Sequence, residues 1–344
     1  MTKIQNLNIE KLIPLISPAK LKQELPGSGI IYRRINQYRD EIKNILLKKD
    51  KRMLAIVGPC SIHNVDEALE YAEKLKALQV SMHDRLFIMM RVYFEKPRTT
   101  IGWKGIINDP DLDNTHNMSK GLRTARKLLL DIADLGLPVA TEMLDPISPQ
   151  YTSDLVSWAS LGARTSESQT HREMASGLSM PIGFKNGTDG GLDVAVGAIK
   201  SAGHPHSFLG IDKNGTTVIV KTKGNVFGHL ILRGGKNGPN FDEESIKCSV
   251  EKLKHAGEKA VLVVDCSHGN SEKKHVNQPG VLRNIVAQVK RGNTNIVGFM
   301  LESNLEAGSQ KISADLSKME YGISVTDECM NWVSTKSLLE EVFS

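Results

Sequence analysis

The chain has 344 residues, a formal net charge of +5 and an aromatic content of only 5%. This charge is too mild, and the aromatic residues are too few, to predict a nucleic-acid-binding protein. No apolar stretch approaches the roughly 20 residues of a membrane-spanning helix, and the polar, charged first residues are unlike a secretory signal. The 4 cysteines follow no small-domain disulfide pattern, so we expect reduced thiols and a cytoplasmic location.

Short apolar runs recur along the chain, and each is followed by a polar residue that could bind an anion or a metal. The runs cover 54–57, 86–90, 138–140, 159–163, 181–184, 229–232, 261–264 and 296–301. Continuous apolar runs are typical of parallel strands that are buried on both faces, and the segments between them repeat apolar residues with helical spacing. This alternation predicts an α/β fold, a (β/α)8 TIM barrel whose strand ends share one pocket.

Two gaps between the runs are longer than a helix and its return require. The first contains 93–117, which is rich in Pro, Gly, Asp and Asn and predicts an active-site loop. In the second, strand-like segments flank Asp212-Lys-Asn-Gly215, which predicts an inserted β-hairpin. We therefore expect an N-terminal arm and helix over 1–45, with a regulatory or oligomerisation role, and a catalytic barrel over 46–344 with the hairpin at about 204–225.

A group of basic residues follows these runs or lies in the predicted loop. Its members are Arg91, Lys96, Arg98, Arg164, Lys185 and Arg233. Any one of them could be an ordinary surface residue, but several cations on one barrel face would repel each other unless anions bind between them. The guanidinium fork suits carboxylate and phosphate, so the group predicts a substrate with more than one anionic group.

A second group combines a thiol, an imidazole and two carboxylates: Cys60, His268, Glu302 and Asp327. Taken singly, these could be a buried cysteine, a surface histidine and ion-paired carboxylates. Together at one barrel face they predict a site for a divalent metal ion of intermediate softness, Mn²⁺, Fe²⁺, Co²⁺ or Zn²⁺ rather than Ca²⁺. Such an ion would polarise a substrate carbonyl.

At these residues the chain closely resembles the class I 3-deoxy-D-arabino-heptulosonate 7-phosphate (DAHP) synthases, which open the shikimate pathway. The matching motifs are Gly58-Pro-Cys-Ser-Ile-His63, Arg91-Val-Tyr-Phe-Glu-Lys-Pro-Arg-Thr-Thr100, Gly102-Trp-Lys-Gly105, Gly162-Ala-Arg-Thr165, Glu167-Ser-Gln169, Gly183-Phe-Lys-Asn-Gly-Thr-Asp-Gly190, Leu232-Arg-Gly-Gly235, Asp265-Cys-Ser-His-Gly-Asn270 and Glu302-Ser-Asn304. The resemblance runs from about Leu12 to Phe343.

The resemblance implies condensation of phosphoenolpyruvate with erythrose 4-phosphate and water, with release of phosphate. The residues matched to phosphoenolpyruvate are Arg91, Arg164, Lys185 and Arg233. Arg98 and Thr99 match the tetrose phosphate site, and Lys96 would bridge the two substrates near the metal. Glu142 falls where the family positions a water near the enol carbon. The four metal ligands match Cys60, His268, Glu302 and Asp327.

The resemblance also implies feedback inhibition, because family members with an arm and an inserted hairpin bind an aromatic amino acid where the two pack together. The matching effector positions are Gln150, Met174, Leu178, Ser179, Phe208 and Gly210. Gly210 favours tyrosine as the effector, although Met174, Leu178 and Phe208 could simply be packed apolar residues. A homo-oligomer, dimer or tetramer, is expected.

Other interpretations remain open at this point. The sister enzyme 3-deoxy-D-manno-octulosonate 8-phosphate synthase would use arabinose 5-phosphate, and a metal-dependent sugar-phosphate aldolase would not use phosphoenolpyruvate. A basic binding protein without catalysis gives no reason for the metal-ligand types. Finally, Cys329 lies two residues after Asp327, so a disulfide with Cys60 is within reach if Asp327 and Cys60 bind the same ion.

Overall fold

The computed structural model describes residues 4–344, and its centre is a closed barrel of parallel strands. The strands are β1 (Met53–Gly58), β2 (Leu86–Arg91), β3 (Val139–Glu142), β4 (Trp158–Leu161), β5 (Ile182–Lys185), β6 (Ser207–Ile211), β7 (Thr217–Lys221), β8 (Gly228–Leu232), β9 (Leu262–Asp265) and β10 (Ile296–Glu302). The barrel order is β1-β10-β9-β8-β5-β4-β3-β2, while β6 and β7 pair separately. The predicted (β/α)8 barrel and all eight of its predicted strands are confirmed.

Helices connect the strands and surround the barrel. They are α1 (Pro18–Glu24), α2 (Gly29–Leu46), α3 (Val65–Ser81), α4 (Met118–Asp134), α5 (Pro149–Thr152), α6 (Gln169–Gly177), α7 (Asp193–Ala202), α8 (Glu243–His255), α9 (Gln278–Lys290) and α10 (Trp332–Val342). In α3 the side chain of Asn64 caps the helix by accepting from the N–H groups of Asp66 and Glu67. The apolar stripe of α3, including Tyr71 and Leu75, is buried.

The barrel is filled by apolar side chains and closed at its N-terminal end by α2. Inward-facing residues such as Ile56, Trp158 and Met300 form one buried cluster with Ile42 and Ile45 of α2. The C-terminal ends of the strands are therefore the open end, where barrel enzymes build their sites. Ile42 and Ile45 of the predicted N-terminal segment thus belong to the barrel core. The predicted domain boundary between residues 45 and 46 stays a prediction.

Both predicted insertions are present. Residues 92–117 form neither helix nor strand, and β6 pairs antiparallel with β7 from Ser207 opposite Lys221 to Ile211 opposite Thr217. In the turn of this hairpin, the carboxylate of Asp212 accepts from the N–H groups of Asn214 and Thr216. Gly215 adopts a φ of +82°, which glycine tolerates best.

The N-terminal arm packs against the hairpin. Residues 4–17 form neither helix nor strand, but the N–H of Ala19 donates to the carbonyl of Lys213 in the hairpin turn at 2.7 Å. The hydroxyl of Tyr151 in α5 donates to the carbonyl of Ile16, also at 2.7 Å. No helix between residues 4 and 344 is long and apolar enough to cross a membrane.

Candidate active site

A cavity of about 600 Å³ opens at the C-terminal end of the barrel. Its lining includes ten residues singled out from the sequence: Arg91, Lys96, Arg98, Thr99, Glu142, Arg164, Lys185, Arg233, His268 and Asp327. Cys60 and Glu302 are buried and are not part of the lining. Sequence reasoning missed Thr188, Lys236, Lys273 and Thr326, which also line the cavity.

Three of the four predicted metal ligands converge. Donor atoms of Cys60, Glu302 and Asp327 all lie within 4.8 Å of one another. The fourth, His268, lies at the border of this cluster, with its Nε2 3.9 Å from Oε1 of Glu302. Its Nδ1 lies 3.0 Å from Oδ2 of Asp265, and this contact places the imidazole beside the other donors. A thiol, two carboxylates and a neighbouring imidazole fit a divalent transition-metal ion.

Glu302 is held as a carboxylate by its surroundings. The guanidinium of Arg91 donates to Oε1 at 2.8 Å, and the hydroxyl of Ser267 donates to Oε2 at 2.7 Å. Burial alone would raise the pKa of Glu302, but the neighbouring His268 and Arg91 outweigh burial and lower the pKa to about 2. Glu302 is thus a ready anionic ligand.

Cys60 and Lys96 form a buried pair beside Glu302. The ammonium Nζ of Lys96 lies 3.2 Å from Sγ of Cys60 and also donates to the carbonyl of Cys60 at 3.0 Å. Burial and the charge of Glu302 raise the pKa of the Cys60 thiol, and Lys96 opposes them. A cation this close favours the thiolate that a metal ion requires.

Asp265 connects the metal ligands to an anion-binding residue. Its carboxylate accepts from Lys185 at 2.8 Å and contacts His268. Although burial raises the pKa of Asp265, the neighbouring His268 and Lys185 outweigh burial and hold that pKa well below its usual range. The ion pair with Asp265 keeps the ammonium of Lys185 charged although this side chain is buried.

Three buried polar atoms of the cavity lining have no hydrogen-bond partner within residues 4–344. Nδ1 of His268 contacts Asp265 without hydrogen-bond geometry, and the other two atoms are Nη1 of Arg91 and Oε1 of Glu142. The guanidinium of Arg91 also stacks on the ring of Tyr93, with its Cζ 3.6 Å from the ring centroid. Buried polar atoms rarely stay unpaired, so Nη1 of Arg91 and Oε1 of Glu142 point to a ligand or water in the cavity.

The cavity carries a surplus of positive charge. Arg91 pairs with Glu302 and Lys185 with Asp265. Six other cations in the lining form no ion pair with a carboxylate of residues 4–344: Lys96, which contacts the thiol of Cys60, and Arg98, Arg164, Arg233, Lys236 and Lys273. Anions with several charges are the ligands that this arrangement can hold.

The six predicted effector positions lie on α5, α6, the loop after α6, and β6, and none of them lines this cavity. Met174 is buried and Phe208 half-buried, whereas Gln150 and Ser179 are exposed. The carbonyl of Leu178 accepts from the side chain of Asn225 at 3.1 Å. Their role as an effector site stays a prediction.

Comparison with known proteins decides the family. The family described as "DAHP synthetase I family" matches residues 29–340. The chain belongs to this family. Its predicted family, barrel fold and enzyme class are therefore confirmed.

Curated relatives match this DAHP synthase almost end to end. It is 50% identical to the Tyr-sensitive phospho-2-dehydro-3-deoxyheptonate aldolase of Escherichia coli (strain K12) over 98% of this chain and 95% of that protein. It is 46% identical to the Trp-sensitive enzyme of the same organism, covering 100% of this chain and 98% of that one. A solved phospho-2-dehydro-3-deoxyheptonate aldolase from Francisella tularensis SCHU S4 has a TM-score of 0.95 and 51% identity, covering 98% of both chains.

Proposed function

We propose that the cavity at the barrel mouth is where this DAHP synthase condenses phosphoenolpyruvate with erythrose 4-phosphate and water to give DAHP and phosphate, the first step toward the aromatic amino acids. One observation carries the proposal. The cluster of Cys60, Glu302 and Asp327 adjoins a cavity whose cations exceed its carboxylates. A carbonyl-activating site and a site for two polyanions are what this condensation needs.

The phosphate and carboxylate of phosphoenolpyruvate would bind Arg164, Lys185, Arg233 and Arg91. Lys185 and Arg91 are buried and already oriented by Asp265 and Glu302. The unpaired Nη1 of Arg91 remains free to donate to this substrate. Fixed donors of this kind cost little reorganisation when the substrate binds.

The phosphate of the tetrose would bind Arg98 and Thr99 in the loop after β2. Lys96 lines the same cavity two residues before Arg98, and its Nζ lies 3.2 Å from Sγ of Cys60. It is therefore suited to hold the reacting ends of both substrates. Bringing two polyanions together in this way contributes a large part of the expected rate enhancement.

Cys60, His268, Glu302 and Asp327 would hold the divalent ion, and the donor set suits Mn²⁺, Fe²⁺, Co²⁺ or Zn²⁺. When bound, the ion would act as a Lewis acid on the aldehyde carbonyl of the tetrose. The thiol of Cys60 must lose its proton for this role, and the ammonium of Lys96 favours that loss.

The chemistry follows from the placement of charge. The methylene carbon of phosphoenolpyruvate attacks the aldehyde carbon, and positive charge develops on the enol carbon. Glu142, with its unpaired Oε1, would position the water that adds there. The adduct then loses phosphate, which takes the bridging oxygen with it and leaves the ketone. Arg164 and Arg233 neutralise the departing phosphate.

We also propose tyrosine as a feedback inhibitor that binds between the hairpin, α5 and α6, at the six effector positions named above. The 50% identity to a Tyr-sensitive relative supports this choice. A homo-oligomer and a cytoplasmic location complete the proposal, the latter because the four cysteines are unpaired thiols.

A substrate comparison tests the function. Purified protein with Mn²⁺ and phosphoenolpyruvate is offered erythrose 4-phosphate or arabinose 5-phosphate while phosphate release is followed. We expect release with the tetrose and little with the pentose. Faster reaction with arabinose 5-phosphate would identify a 3-deoxy-D-manno-octulosonate 8-phosphate synthase, and sugar turnover without phosphoenolpyruvate would identify an aldolase.

A further inference from the structure

Two lysines of the cavity have no part in the function proposed above. Lys236 lies in the loop after β8, and Lys273 lies in the loop after β9. Both line the cavity, both are exposed, and neither forms an ion pair within residues 4–344. By contrast, Lys96 and Lys185 are buried in the same cavity. The two exposed lysines thus form an outer cationic zone.

The backbone around Lys273 is held in an unfavourable conformation. Glu272 and Lys273 have φ values of +55° and +61°, in the left-handed region that residues with side chains seldom adopt. The N–H of Lys273 donates to the carbonyl of His268 at 2.7 Å, and His268 itself has a φ of +57°. Strain of this kind clusters at functional sites.

Glycines allow three loops to pack closely, and this packing places Lys236 on the same side of the cavity as Lys273. A Cβ on Gly235 would lie 2.2 Å from the backbone N of Gly190, and a Cβ on Gly269 would lie 2.5 Å from the backbone N of Gly235. The loops after β5, β8 and β9 therefore touch backbone to backbone. The N–H of Lys236 also donates to the carbonyl of Thr188 at 3.0 Å.

Two of these loops follow β5, which ends at Lys185, and β8, which Arg233 directly follows, whereas Arg98 and Thr99 follow β2. The outer lysines consequently lie on the side assigned to the phosphate of phosphoenolpyruvate. The buried cations there favour tight binding of phosphoenolpyruvate, but the same charges would slow the release of the product phosphate. A flexible, hydrated ammonium is a weaker and more mobile phosphate ligand than an arginine fork.

We infer that Lys236 and Lys273 form an exit site, which binds inorganic phosphate after it has left the carbon skeleton and before it reaches solvent. The inference rests on the proposed function, since it concerns the phosphate which that reaction releases. The ligand is a free phosphate dianion, recognised by two ammonium groups on neighbouring loops that pack backbone to backbone.

The test compares Lys236→Gln, Lys273→Gln and the double variant with Lys247→Gln, which removes an exposed lysine of α8 that does not line the cavity. Inhibition by added inorganic phosphate is measured at several phosphoenolpyruvate concentrations. We expect the inhibition constant for phosphate to rise about tenfold in the double variant, as for loss of charge-assisted hydrogen bonds. The KM for phosphoenolpyruvate should change by less than about twofold, and the control should match the wild type.

Two outcomes would overturn the exit site. Phosphate inhibition could be unchanged in the double variant, or the KM for phosphoenolpyruvate could rise as much as the phosphate constant, which would make the lysines substrate ligands. If the wild-type protein releases no phosphate from its substrates, the proposed function fails instead. Direct titration of inorganic phosphate into the wild type and the double variant then still decides the exit site, because lost binding supports it and equal binding contradicts it.

Discussion

Lys185 donates to the carboxylate of Asp265 at 2.8 Å, in a pair that is almost completely buried. Arg164 lines the same cavity, but it is exposed and has no carboxylate partner within residues 4–344. The two cations therefore differ in what they contribute to stability, although both are assigned to phosphoenolpyruvate.

We predict that Lys185→Ala and Arg164→Ala both raise the KM for phosphoenolpyruvate about tenfold or more and lower kcat, since each loses a charge-assisted contact. Lys185→Ala should also lower the free energy of unfolding by about 3 kcal/mol, because Asp265 loses its buried partner. Arg164→Ala should leave stability unchanged. Steady-state kinetics and chemical denaturation measure both effects, and a change confined to the KM for the tetrose would mean that the two anion sites have been exchanged.

Removal of a metal ligand should abolish activity without unfolding the protein. We predict that Cys60→Ala and His268→Ala lose bound Mn²⁺ after dialysis, because each removes a donor rather than core packing. Metal content, thermal unfolding of the metal-free protein and activity are measured together. Cys248→Ala, which changes an exposed thiol, serves as the control. Full activity of Cys60→Ala in buffer with excess metal would refute the ligand assignment.

Glu95 should make stability depend on pH. Burial raises the pKa of Glu95 to about 8, although the hydroxyl of Ser148 donates to its carboxylate at 2.9 Å. In an unfolded chain the same group has a pKa of about 4.3. Folding therefore takes up a proton between these two pH values, and the free energy of unfolding contributed by Glu95 falls as pH rises from about 4 to about 8.

We predict that Glu95→Gln flattens this fall. Between pH 5 and pH 8 the variant should lose roughly 1–3 kcal/mol less free energy of unfolding than the wild type. Denaturation curves at several pH values check it, with the exposed Glu251→Gln on α8 as the matched control. A pH profile identical to that of the wild type would show that Glu95 is ionised in the folded protein.

Gly210 offers a test of effector choice. A Cβ at this position would lie 2.8 Å from Cγ2 of Val220 on the paired strand β7, so an added side chain meets Val220 first. We predict that Gly210→Ser weakens tyrosine inhibition severalfold, because this contact must be relieved by movement of the hairpin. Adding Val220→Ala should restore part of the inhibition. Indifference of the wild-type enzyme to tyrosine, phenylalanine and tryptophan alike would refute the regulatory proposal.

Cys329 lies close enough to Cys60 for a disulfide to form when no metal ion is bound. The N–H of Cys60 donates to Sγ of Cys329 at 3.4 Å, and both thiols are buried. We predict that metal-stripped enzyme slowly loses activity in air by forming a Cys60–Cys329 bond, since a metal-bound thiolate cannot oxidise in this way. Peptide mapping of the oxidised protein should find this cross-link, and thiol plus metal should restore activity. Unchanged inactivation of Cys329→Ser would contradict the prediction.

The strands and the residues at their ends were predictable because a buried parallel strand leaves a continuous apolar run. Arg91, Lys185 and Glu302 are each the last residue of a strand. The sequence could not reveal their partners, since Arg91 and Glu302 are 211 positions apart. Their pairing depends on closure of the barrel.

The outer cavity residues were not predictable for a different reason. Lys236 and Lys273 follow their strands by several residues, in polar loops that are typical of solvent-exposed turns. They reach the cavity because the glycine loops pack backbone to backbone and because Lys273 has a positive φ. Similarly, the amphipathic α2 closes the barrel floor, a role that its position before the first strand did not indicate.

The most direct test of the central claim uses phosphoenolpyruvate labelled with ¹⁸O at the oxygen that bridges carbon and phosphorus. If water adds to the enol carbon beside Glu142, the C–O bond breaks and the label leaves with the phosphate. We predict that mass spectrometry finds the label in released phosphate, and only when erythrose 4-phosphate and a divalent metal are present. Label retained in the organic product, or phosphate released without the tetrose, would contradict this account.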